Sequence, residues 1–72
     1  MSDYKRWWKG LTPLQRVDLK RWANDVNFEV PQTALDLADE LCREAGKSAD
    51  DLPDFLDKVQ DIVLEQIKEA SA

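Results

Sequence analysis

The chain has 72 residues, 43% of them hydrophobic, with one cysteine, no histidine and a net charge of −5. One cysteine excludes an internal disulfide, and the lack of histidine removes Cys/His zinc sites and the commonest general base. A single domain spanning 1–72 is expected, near the lower size limit at which one core holds a fold unaided; the acidic balance disfavours indiscriminate binding to nucleic acid.

The helix signals in chain order predict an all-α fold. They describe a compact small helical bundle of three main helices, at about 12–24, 31–45 and 53–70, plus a short N-terminal helix. Ser2 or Asp3 can cap the first helix, and Gly10 suits the left-handed position that ends it. Leu11-Thr12-Pro13-Leu14-Gln15 is a strong start signal: Thr12 fits the N-cap, Pro13 the first helical position, and Gln15 completes a capping box.

Val26-Asn27-Phe28-Glu29-Val30 alternates apolar and polar residues, the pattern of a short strand. With no second strand to pair it within one chain, an extended loop tucking Phe28 into the core is the simpler expectation. The third helix begins near Pro31 and ends at Gly46. Ala34, Leu35, Leu37, Ala38, Leu41, Cys42 and Ala45 fall within an arc of about 160° on it, so Cys42 reads as core. Lys47 to Asp51 is a polar connector with room for one 3₁₀ turn. The fourth helix starts near Pro53, and Leu52, Phe55, Leu56, Val59, Ile62, Val63 and Ile67 form its buried stripe.

Charge and aromatic residues are unevenly placed. Six of the ten basic residues and all three tryptophans lie in the first 25 positions, whereas the remaining 47 carry twelve carboxylates against four basic groups. Trp22 reads as core. Trp7 and Trp8 point about 100° apart on a helix and cannot both face one core, while Tyr4 lies one turn before Trp8 and is expected on its side. The patch Tyr4, Lys5, Arg6, Trp7, Trp8 and Lys9 is therefore the leading candidate for a partner-binding surface, because aromatic and arginine clusters concentrate binding energy.

Enzyme chemistry is poorly supplied, and the chain reads as non-catalytic, with no catalytic or metal-ligating residues and no cofactor. The Asp50–Asp61 carboxylates lack the glycine and terminal glutamate of an EF-hand loop, and Gly10 and Gly46 are too isolated to form a phosphate loop. Asp36, Asp39, Glu40, Asp57 and Asp61 belong to acidic rows, with Glu44, Glu65 and Glu69, that can meet a basic surface or keep the chain solvated. The i,i+4 pairs Asp39–Arg43 and Asp54–Lys58 favour solvation. Leu64 lies roughly 60° outside its helix stripe, and with the heptad-like series Leu52, Phe55, Val59, Ile62 and Gln66 it offers a contact for a homodimer.

Cys42 in an apolar pattern and charged residues directly after Met1 fit a reduced, cytoplasmic setting. The longest apolar run, Ile62-Val63-Leu64, is far short of the ~20 residues that span a bilayer, and no membrane partner is expected.

One family resemblance emerges. The stretch Val26 to Val63 resembles the ribbon-helix-helix family of DNA-binding dimers: Val26–Val30 as ribbon, Pro31, an amphipathic helix, Gly46-Lys47-Ser48, then a second helix. The resemblance implies that the ribbon pairs with its copy, that Asn27 and Glu29 face the major groove and that Ser48 contacts the DNA backbone. Glu29, Asp50 and Asp51 place negative charge where phosphate would lie. DNA binding is thus the alternative to the main expectation, a small non-catalytic intracellular protein that binds another protein to regulate or inhibit it, in the manner of a bacterial or phage accessory protein.

Overall fold

A computed structural model describes residues 4–25 and 29–71. Four α-helices make up the fold: α1 (Tyr4–Lys9), α2 (Pro13–Asn24), α3 (Gln32–Glu44) and α4 (Leu52–Ser71), with a 3₁₀ turn over Ala49–Asp51 leading into α4. No strand occurs among the described residues. The all-α bundle expected from the sequence is therefore observed. Most of the ribbon segment, residues 26–28 with Phe28, lies outside the described residues, and Glu29 and Val30 form no strand.

The local signals act as their chemistry dictates. At the start of α2 the Gln15 amide donates to Thr12 Oγ1 at 3.2 Å, and Gln15 Oε1 accepts from the Thr12 amide at 2.9 Å, so two otherwise orphaned donors are satisfied reciprocally. α3 ends in a Schellman turn: the Gly46 amide donates to the Arg43 carbonyl and the Lys47 amide to the Cys42 carbonyl, each at 3.0 Å. Gly46 holds φ at +69°, where a Cβ would strain the backbone. The expectation for Gly10 is corrected, because its φ is not in the left-handed region. α1 closes through hydrogen bonds from the Gly10 amide to the Arg6 carbonyl at 3.1 Å and from the Leu11 amide to the Trp8 carbonyl at 3.2 Å. A helix of six residues needs no reversal of hand to stop there.

A single hydrophobic cluster draws on all four helices: Trp8 from α1; Leu19, Trp22 and Ala23 from α2; Ala34, Leu37, Ala38 and Cys42 from α3; Phe55, Val59 and Val63 from α4. Each fully buried Leu or Val stabilises the fold by roughly 1.5–3 kcal/mol relative to exposure. The small residues Ala34 and Ala38 are wholly buried and pack in that cluster with Val59 and Val63. Leu35, Leu41, Leu52, Leu56, Ile62 and Ile67 are half-buried, and Ala45, at the α3 cap, is exposed. Cys42 is core, its thiol donating to the carbonyls of Ser48 at 3.1 Å and Lys47 at 3.4 Å.

A long-range polar bond joins α2 to α4. Gln60 Nε2 donates to the Ala23 carbonyl at 3.0 Å, fixing the end of α2 on the middle of α4. On the surface Asp39 and Arg43 pair at 3.3 Å, as their spacing suggests, although both are exposed and the pair adds little. Lys58 departs from expectation: its Nζ lies 4.7 Å from the centre of the Phe55 ring, and no ion pair with Asp54 forms. No helix is long and apolar enough to cross a membrane among the described residues.

Candidate functional site

α1 is a ridge with a groove on each side. The helical step between adjacent residues sends Trp7 to one flank and Trp8 to the other, and their ring centres stand 6.2 Å apart with planes inclined by 49°. Trp8 is only 7% exposed and belongs to the core. It packs as a core tryptophan, on the opposite flank of α1 from Trp7. Trp7 is half-buried and borders open space, so it is the one that can anchor a partner.

The α1/α3 groove encloses about 530 Å³ and is lined by Tyr4, Arg6 and Trp7 of α1 and Leu37, Glu40, Leu41 and Glu44 of α3. That volume is in the range of ligand pockets. Tyr4 lies on the Trp7 side of this groove, whereas the sequence placed it with Trp8. Both tryptophans are within about 60° of Tyr4 on a helix, and the position of α3 decides which one shares its groove. The floor is aromatic and aliphatic; the rim carries one guanidinium and two carboxylates. No ion pair joins Arg6 to Glu40 or Glu44 among the described residues, so these charges remain available to a ligand.

The α1/α4 groove holds about 360 Å³, between Lys5, Trp8 and Lys9 of α1 and Gln66, Glu69 and Ala70 of α4. The cationic patch read from the sequence is therefore split by its own helix: Arg6 goes one way, Lys5 and Lys9 the other. A third depression of about 490 Å³ lies between α2 and the segment from Glu29 to Leu35, where Asp18, Arg21 and Glu29 give it mixed charge.

The acidic candidates separate as well. Asp36, Asp39, Glu40, Asp57 and Asp61 are all exposed. Only Glu40 reaches the aromatic groove, and Glu44, a member of the same row, joins it there. Asp36 accepts from Gln32 Nε2 at 2.9 Å, and Asp39 is paired with Arg43. Asp57 and Asp61 line none of the three depressions. Leu64 is exposed as expected, but Leu14, at 71% exposure, and Val17 present more apolar surface. Their spacing on α2, opposite Leu19 and Trp22, was the available signal.

Aromatic faces flanked by carboxylates attract cations, and the leucines beside them accept aliphatic stems, so the α1/α3 groove suits a basic side chain on an apolar segment. No cluster of three or more metal-ligating side chains is arranged around a common point among the described residues. A scan of family models and searches of curated proteins and solved structures found no match.

Proposed function

We propose that this chain is a small non-catalytic protein that binds another protein to regulate or inhibit it, and that the α1/α3 groove is the docking surface. The observation that carries the reading is the convergence of Tyr4 and Trp7 with Leu37, Leu41, Glu40 and Glu44 around one open groove. These residues come from two helices, and the aromatic pair lies partly outside the sealed core. Trp, Tyr and Arg, the residue types enriched in binding hot spots, are all present in it as Trp7, Tyr4 and Arg6. The partner's contribution is a basic side chain, set over Trp7 and between Glu40 and Glu44, on an otherwise apolar segment.

The test is capture from native lysate by the tagged wild-type chain, compared with Trp7→Ala and with Glu40→Lys/Glu44→Lys. Each variant is first shown to be folded by circular dichroism. A partner recovered by wild type and lost with both variants supports the reading. Equal recovery by all three chains refutes it.

A further inference from the structure

Gln66 occupies the buried side of α4, three residues beyond Val63, and is only 8% exposed. Its side-chain amide makes no hydrogen bond to another described residue. Among the described residues the sealed side-chain nitrogen without a partner is Arg16 Nε, so the Gln66 amide is not sealed; Gln66 lines the α1/α4 groove with Lys5, Trp8, Lys9 and Glu69. More than nine-tenths of the residue is nonetheless withdrawn from solvent, at a place on the stripe where an apolar side chain is the ordinary occupant. The groove supplies a role for it. Two ammonium groups against the one carboxylate of Glu69 give positive local charge on a chain of net charge −5, and Trp8 forms an apolar wall behind them.

We propose that the α1/α4 groove is a carboxylate-binding subsite: the Gln66 side-chain N–H donates to a carboxylate oxygen of an Asp or Glu side chain on the bound protein, and Lys5 and Lys9 balance its charge. An amide alone binds groups of either sign, so the lysines set the preference. Hydrogen bonds to a charged acceptor are about twice as strong as neutral ones, which favours a carboxylate over a neutral amide in the same place. That the occupant is a protein side chain rests on the protein-binding reading above. The subsite itself does not, because it lies on the other flank of α1 and is tested with small probes.

The experiment titrates the full-length ¹⁵N-labelled chain with acetyl-Ala-Glu-Ala-amide, with the matching glutamine peptide and with inorganic phosphate, following the Gln66 side-chain NH₂ and the Trp8 indole N–H by NMR. A saturable shift of both signals with the glutamate peptide, and none with the glutamine peptide, is expected. Lys5→Gln/Lys9→Gln and Gln66→Leu should each weaken binding about tenfold, read at the Trp8 indole. Gln66→Leu should at the same time melt at or above the wild-type temperature. No saturable shift overturns the proposal, as does equal response to the glutamine peptide. Tighter binding of phosphate than of the glutamate peptide would reassign the groove to phosphate. Loss of thermal stability in Gln66→Leu with unchanged peptide binding would make Gln66 a structural residue only.

Discussion

Trp7 and Trp8 are neighbours in sequence with ring centres 6.2 Å apart, yet Trp8 closes the core whereas Trp7 borders the α1/α3 groove. That division separates two roles which the sequence had joined in one patch. Truncation of Trp8 to alanine should cost ~3–5 kcal/mol, as for other buried aromatic residues. A core of this size supplies little more than that, so the variant should be largely unfolded at 25 °C. Trp7→Ala should cost about 1–2 kcal/mol and stay folded, because less of its surface is withdrawn from water. Urea denaturation followed by circular dichroism distinguishes the two, and equal losses would contradict the assignment.

The two glycines should respond differently to alanine. Gly46 has nothing within 4 Å of an added Cβ, but its φ of +69° imposes a backbone cost of roughly 1–2 kcal/mol on any L side chain. At Gly10 an added Cβ would meet the Arg6 and Trp7 carbonyl oxygens at 3.4 and 3.6 Å, ordinary contact, and φ is not left-handed. Gly10→Ala should stay within about 0.5 kcal/mol of wild type. Thermal melts give the comparison, at about 4–8 °C per kcal/mol for a small domain.

Gln60 should matter more than its place beside an apolar stripe suggests. Its bond to the Ala23 carbonyl is a polar tie between α2 and α4, and Gln60→Leu leaves that acceptor without its partner. A loss of about 1–2 kcal/mol is expected, seen as a lower urea midpoint at unchanged slope. A stability equal to wild type would show that solvent replaces the bond without cost.

The legible parts of this fold are those governed by local chemistry. Thr12, Pro13 and Gln15 mark a helix start because side chain and backbone within four residues satisfy one another. Ala34, Leu37, Ala38 and Cys42 reveal a buried face because their spacing of three and four residues matches the 3.6-residue repeat of a helix. The groove carries no such signal. Tyr4 and Trp7 line one groove with Leu37 and Glu40 across some thirty residues of intervening chain, and their proximity depends on how α1 lies on α4 beside α3. For the same reason the cationic patch looked continuous when read along the chain. Only the path of α1 between two grooves shows that Arg6 and the lysines serve different sides. The acidic rows were legible as exposed, but which carboxylates border an aromatic floor was not.

Docking of a protein partner at the α1/α3 groove can be read out by site-specific photocrosslinking in native lysate. A photoreactive phenylalanine analogue replaces Trp7 in one chain, Asp57 in a second and Leu64 in a third, with folding checked for each. A discrete crosslinked protein is expected from position 7 and none from positions 57 and 64. A partner crosslinked from position 57 or 64 but not from position 7 would contradict it, and would move the binding surface to the outer face of α4.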